Sequence, residues 1–201
     1  MKKVISLFVV GVVLLAQSGF AATTATYTVS AIVPASSAVA INAYSITGSV
    51  KAAVSGTTLN LGPLAYNSSL GIYLPDHYFA IESGLTSGAG TQDVTVSYTE
   101  GSNPNSATTK GGLGTKVNIA FNMVTGPTTE VGVAGHAKKL LKNIIATPEH
   151  ITSAELGSNL LKVYVGVNTG DASTPTGGEV ISNLDKAGTY DGTLVVTATV
   201  V

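Results

Sequence analysis

The residue types that could carry acid–base or metal chemistry are sparse in this 201-residue chain. Its three histidines, His77, His136 and His150, stand far apart and lack the short spacings of metal-binding pairs. Asp76 precedes His77, but successive residues of a strand point to opposite faces, so we expect no Asp–His dyad. Cysteine and the glycine-rich phosphate and nucleophile motifs are also missing from the sequence. We therefore predict no catalytic residue, no cofactor, no metal site and no enzyme activity.

The charge of the chain also limits its partners. Only 10% of the residues are charged, and the ten basic residues are all lysines. Two of the lysines lie in the first 21 residues, which we predict below to be removed. The remaining chain has eight lysines and eleven carboxylates, a net charge near −3. Such a chain has no basic surface for nucleic acid or anionic lipid. Low charge favours a protein that packs among neighbours.

Residues 1–21 have the pattern of a secretory signal peptide. Lys2 and Lys3 make a positive start, residues 4–16 are an almost unbroken apolar run, and small residues follow at Ala21 and Ala22. The run is short for a membrane span. We predict export through the periplasm and no membrane insertion. Because the sequence has no cysteine, we expect packing or contacts with other chains, and not disulfides, to stabilise the mature chain.

The two ends of the mature chain have the most regular strand patterns. Apolar and small residues alternate with polar ones in both segments, which predicts strands with one buried face. Six further strand candidates lie between them, separated by turn-forming residues, and seven to nine short strands in all predict an all-β sandwich. The alternating residues are Tyr27, Val29, Ala31 and Val33 before Pro34, and Gly188, Tyr190, Gly192, Leu194, Val196, Ala198 and Val200 at the end.

One segment departs from the strand period. In "GHAKKLLKNIIATP", residues 135–148, the apolar positions recur at helical spacing and Pro148 would end the helix. We predict one short amphipathic helix with a solvated lysine face. Its apolar residues are Ala137, Leu140, Leu141, Ile144 and Ile145.

Two interpretations of the terminal strands are open. The strands could pair or form edges within an ordinary sandwich. Alternatively, the domain could lack one strand, and the N-terminal strand of a neighbouring copy could fill the resulting groove beside the last strand. A head-to-tail contact of this kind that does not close builds a filament.

The terminal sequences carry a resemblance. "AGTYDGTLVVTATVV" resembles the end of chaperone–usher pilins, and "TYTVSAIVPASSAVAIN" is similar to the donor strand of their alpha class, the CS1-type fimbrial major subunits. The "AGTY" strand also resembles the end of spore-coat-U-like secreted proteins. The chain departs from the pilins in lacking the near-terminal tyrosine, in the helical segment and in its length.

The resemblance implies an Ig-like β-sandwich completed by a donor strand from a neighbouring subunit. Residues 1–21 would be the signal peptide, 22–34 the donor-strand extension and 35–201 the pilin domain. The implied donor side chains are Tyr27, Val29, Ala31 and Val33. The implied acceptor groove is Gly188, Tyr190, Leu194, Val196, Ala198 and Val200.

The resulting expectation is a structural subunit of a non-covalent extracellular pilus or fimbria on the cell surface, supporting attachment. Its partners would be copies of itself in a homopolymer, with a periplasmic chaperone and an outer-membrane usher during assembly. The alternatives are a secreted coat or matrix β-sandwich protein, or a carbohydrate-binding adhesin module.

Overall fold

The computed structural model of the chain describes residues 25–32, 39–86, 90–107 and 109–201, with only the backbone described at residues 25, 26, 31 and 32. The predicted signal peptide and Val33 lie outside these residues. Strands dominate the described part, which confirms the all-β prediction. The strands are β1 Ala25–Ile32, β2 Val39–Thr47, β3 Val50–Ala53, β4 Thr58–Asn60, β5 Leu64–Asn67, β6 Ile72–Pro75, β7 Tyr78–Leu85, β8 Gln92–Glu100, β9 Val117–Val124, β10 Glu130–Gly132, β11 Lys139–Leu140, β12 Glu149–Ile151, β13 Leu160–Val167 and β14 Gly188–Val200.

The described strands form two large sheets and one small one. The first has five strands in the order β12-β8-β14-β1-β4. The second has seven strands, in the order β10-β9-β13-β7-β2-β3 with β11 also paired to β9. A separate hairpin joins β5 and β6. The first and last strands of the described chain are therefore neighbours in the middle of the five-stranded sheet.

Alternation along the central strands builds the core. Every second residue of β8, β13 and most of β14 is buried. A single hydrophobic cluster contains side chains of both large sheets, among them Val96 and Val196 of the five-stranded sheet and Phe121 and Val163 of the seven-stranded sheet. Burying one such side chain contributes about 1.5–3 kcal/mol, so this cluster is the main apolar source of stability.

The helical prediction for residues 135–148 needs correction. The segment contributes β11 and then a single 3₁₀ turn, Leu141–Ile144, rather than an amphipathic α-helix. Leu141 and Ile144 are buried, but Ile145 is 45% exposed. Leu141 and Ile144 are three residues apart, a spacing that also occurs on one side of an α-helix. In a 3₁₀ turn, residues i and i+3 lie one above the other, so the same spacing fits this tighter turn.

Two other helical turns, α1 Leu113–Lys116 and α2 Ser153–Leu156, were not predicted. Glu155 caps the start of α2, because its carboxylate accepts hydrogen bonds from the backbone N–H of Thr152 at 2.7 Å and from the Thr152 hydroxyl at 2.8 Å. Across the described residues, no helix is long and apolar enough to cross a membrane.

Candidate functional site

The candidate site is the groove that β1 fills between β14 and β4. The β1–β14 pairing is parallel and runs in register from Ala25 opposite Gly188 to Ile32 opposite Val195. On its other side β1 is antiparallel to β4, with Val29 opposite Leu59. The strand at the start of the described chain therefore lies in the sheet interior, with both of its edges paired.

The buried face of β1 is apolar. Tyr27 is 4% exposed and Val29 is fully buried. The Tyr27 ring stacks on the Tyr190 ring of β14, with centroids 4.7 Å apart and an angle of 16° between the planes. Aromatic pairs at this separation contribute about 0.5–1.5 kcal/mol beyond the area they bury. Leu59 is also fully buried and lies opposite Val29, so one apolar side chain of β4 flanks it.

Most of the predicted acceptor residues form one buried row along β14. Tyr190, Leu194 and Val196 are fully buried and Ala198 is 4% exposed, whereas Val200 is 42% exposed. The row meets the predicted donor positions in the register Tyr27–Tyr190 and Ala31–Leu194 for the backbone. The side chain of Ala31 and the whole of Val33 lie outside the described part of the structure.

Two glycines shape β14. Gly188 has φ +141°, and a Cβ there would lie 2.6 Å from Cγ of Pro104. The room left by this glycine is therefore occupied by Pro104 of the same chain. At Gly192 a Cβ would lie 2.1 Å from Oη of Tyr98 and 2.4 Å from its ring carbon Cε2. Gly192 thus lets the Tyr98 ring lie against the strand.

The tyrosines of the groove are uncharged near neutral pH. Burial, followed by the negative charge of Asp185, raises the pKa of Tyr190 to about 12. The same two causes, in the same order, raise the pKa of Tyr27 far above its usual range. Tyr190 donates a hydrogen bond of 2.8 Å from its hydroxyl to the carbonyl oxygen of Lys186. Within the described residues, β1 is therefore held beside β14 and β4 by apolar packing and backbone pairing.

Beside the groove, burial favours the neutral form of the Glu100 carboxyl group. Burial raises the pKa of Glu100, although hydrogen bonds from the backbone N–H groups of Gly114 and Leu113 oppose this effect. The bond from Gly114 to Oε2 of Glu100 is 2.8 Å long. Burial, with Glu100 close by, also raises the pKa of Tyr98 well above its usual range.

The histidines are engaged locally. The expectation that Asp76 and His77 stay apart is wrong: Nδ1 of His77 contacts the Asp76 carboxylate, because these residues follow β6 and are not within a strand. Nε2 of His77 bonds the Asn60 carbonyl oxygen at 2.9 Å. His136 bonds the carboxylate of Glu149 at 2.6 Å.

The third histidine, His150, bonds the hydroxyl of Thr95 at 3.1 Å through Nδ1. Within the described ranges, no group of three or more histidines and carboxylates is placed to hold a metal ion. Each of the three histidines thus has a hydrogen-bond partner in the described structure.

Sequence reasoning missed two features of this region. One is the pairing of β4 with β1 as its second neighbour, since the short "TLN" strand carries only one buried side chain, Leu59. The other is the burial of Lys116 at the end of α1, beside Asp185 in the turn before β14. A lone lysine in a glycine-rich segment has no sequence signal for burial.

Comparison with known proteins adds no relative to this description: no protein-family model, no curated protein and no solved structure matches the chain.

Proposed function

We propose that the chain is a structural subunit of a non-covalent extracellular pilus or fimbria, in which β1 of one copy fills the groove between β14 and β4 of the next. The observation that carries the proposal is the position of β1. It is the first strand of the described chain, yet it lies in the interior of a sheet with apolar side chains buried on both sides of it.

Strand addition explains how such a groove binds a second copy. An identical strand from a neighbour offers the same Tyr27 and Val29 side chains and the same backbone donors and acceptors. Each buried Val or aromatic residue contributes about 1.5–3 kcal/mol, so a filled groove is long-lived without a covalent bond. The contact joins different surfaces of the two copies, and repeating it without closure gives a filament.

The proposal includes the assembly route. In it, the domain is an Ig-like β-sandwich that needs a donated strand, and residues 1–21 direct export through the periplasm. An open groove exposes strand edges and apolar side chains, which is an aggregation hazard. A periplasmic chaperone and an outer-membrane usher would protect it until a donor strand arrives. The low charge of the chain favours close repetition of subunits.

A disulfide lock tests strand exchange directly, since the chain has no cysteine of its own. Ser30 lies opposite Thr193 in the β1–β14 ladder, and both side chains are half-buried. Neighbouring strands lie about 4.8 Å apart, within the roughly 4.4–6.8 Å between Cα atoms that a disulfide spans. The double variant Ser30→Cys/Thr193→Cys therefore holds β1 in its own groove when it is oxidised.

Assembly is followed by electron microscopy and by gels of unboiled and boiled samples in SDS. We expect wild-type filaments to give a ladder that collapses on boiling, oxidised double variant to stay monomeric, and reductant to restore filaments. The single variant Ser30→Cys is the control and should assemble under both conditions. Oxidised, internally locked monomers that assemble as well as reduced ones would contradict strand exchange and support lateral packing as a coat or matrix protein.

A further inference from the structure

The described structure buries one lysine completely. Lys116 ends α1, immediately before β9, and its side chain has no exposed surface. Its Nζ lies 2.7 Å from Oδ1 of Asp185 and 3.3 Å from Oε2 of Glu179. Lysine is almost never fully buried unless it is paired, because its charge loses its hydration. The strand-exchange proposal makes no use of this group.

The carboxyl group of Asp185 is held from both oxygens. The backbone N–H of Ser182 donates to Oδ2 at 2.7 Å, and the side-chain amide of Asn105 donates to Oδ1 at 2.7 Å. The Asp185 side chain is 2% exposed and Asn105 is fully buried. Donors fixed at a carboxyl group are placed to stabilise negative charge that develops on its oxygens when a nucleophile attacks the carbon.

Glu179 provides a second carboxylate on the other side of the amine. Its Oε2 accepts the backbone N–H of Gly111 at 2.9 Å and the hydroxyl of Thr115 at 3.3 Å, as well as the contact from Lys116. These bonds fix the carboxylate where it can remove a proton from the lysine nitrogen. The cluster therefore combines a nucleophile and an electrophile that are both buried with a base, Glu179, whose side chain is 30% exposed.

We propose that Lys116 and Asp185 condense to an intramolecular amide bond. A proton first passes from the Lys116 ammonium to the Asp185 carboxylate; the neutral amine then attacks Cγ of the carboxyl group, a C–N bond forms, and one C–O bond breaks. Glu179 takes a proton from the nitrogen and returns it to the departing hydroxyl group. The ammonium and carboxylate of the starting pair thus become one amide and one molecule of water, with no oxidant or other reactant.

Two physical effects favour this step. Fixing the amine 2.7 Å from the carboxyl oxygen replaces a bimolecular condensation by an intramolecular one, for which effective molarities reach about 10⁵–10⁸ M. The product also removes two buried charges whose desolvation opposes folding. An amide here would join the start of β9 to the turn before β14, and so tie the seven-stranded sheet to the five-stranded one.

The mass of the purified full-length secreted protein, measured after denaturation, tests the proposal. We expect a mass lower than that of the uncondensed chain by one water molecule. Trypsin should then fail to cut at Lys116 and should yield a branched peptide that joins Lys116 to Asp185. A full mass with separate, unmodified peptides covering residues 111–116 and 163–186 would overturn the proposal. Loss of one ammonia would overturn the assignment of Asp185, because it would place the bond at Asn105.

Two variants separate chemistry from folding. Glu179→Gln removes the base, and we expect most of the chain to keep its full mass. Glu130→Gln is the control. Glu130 of β10 also pairs with a lysine, Lys162 of β13, but away from Lys116, so the cross-link should remain complete. Equal cross-linking in both variants would overturn the role of Glu179. Because the readout is the mass of one chain, this result is independent of whether filaments form.

Discussion

Tyr27 and Tyr190 stack face to face although they lie on the first and last strands of the described chain, with ring centroids 4.7 Å apart. Their strands run parallel, and the two residues are direct neighbours in the ladder. The stack therefore reports whether β1 occupies the groove beside β14.

The first prediction concerns the buried face of β1. Val29→Asp places a carboxylate at a fully buried position beside Leu59, and an unpaired buried charge costs several kcal/mol. We expect loss of filaments and a fall in the free energy of unfolding of about 3 kcal/mol or more. Denaturant titration and electron microscopy measure the two effects.

Ser30→Asp is the matched control for that variant. It adds the same charge one position along the strand, where the side chain is half-buried on the other face. Filaments and stability should stay near those of the wild type. A similar loss in both variants would show that charge on β1, and not burial of Val29, controls assembly.

The second prediction concerns the close approach at Gly192. In Gly192→Ala the new Cβ would lie 2.1 Å from Oη of Tyr98, whose side chain is 1% exposed and enclosed by the core. We expect a loss of about 1–3 kcal/mol in the free energy of unfolding, as overpacked cores show. Gly132→Ala in β10 meets nothing within 4 Å and serves as the control. Equal stability of the two variants in thermal unfolding would contradict the packing described here.

The third prediction concerns pH and Glu100. Burial raises its pKa in the folded state above the ordinary value of 4.5, so the folded protein holds this proton more tightly than the unfolded chain. The contribution to stability is complete below about pH 4.5 and is lost as pH rises through the raised pKa. Glu100→Gln should remove this decline. An unchanged pH profile of the free energy of unfolding would contradict the shift.

The fourth prediction concerns Glu149, whose contribution to stability changes with pH in the opposite direction. Burial opposes ionisation of Glu149, but hydrogen bonds from Lys139 and His136 outweigh it and lower the pKa below the ordinary 4.5. Its contribution to stability is present above about pH 4.5 and is lost as pH falls through the lowered pKa. Glu149→Gln should therefore flatten the acid limb of the profile, whereas Glu100→Gln should leave that limb in place. Acid unfolding of both variants distinguishes the two cases.

The strand content of the chain is determined locally. In the terminal segments, apolar residues alternate with polar ones, and this period of two belongs to an extended backbone with one buried face. That pattern correctly placed Tyr27 and Val29, and with them Tyr190, Leu194 and Val196, in the core. It also correctly indicated an all-β fold. Both results depend only on neighbours along the chain.

Pairing depends on residues that are distant in sequence. The alternation of β1 is equally compatible with a parallel or an antiparallel neighbour and does not identify β4 as its second partner. For residues 135–148 the spacing suited a helix, but pairing of Leu140 with β9 and burial of Ile144 selected a short strand and a 3₁₀ turn. Tertiary contacts therefore override a local period wherever it fits more than one structure.

The polar interior was also decided by the tertiary structure. Lys116 follows the glycine-rich residues 111–114, whose pattern gives no sign of burial, yet its Nζ lies 2.7 Å from Oδ1 of Asp185, far away along the chain. A buried charge is tolerable only where a partner and hydrogen bonds replace its water, and those groups are assembled by the fold alone. The sequence by itself thus determined the all-β class and which face the first and last described strands bury. The choice of strand partners and the Lys116–Asp185 pair arose only when distant segments came together.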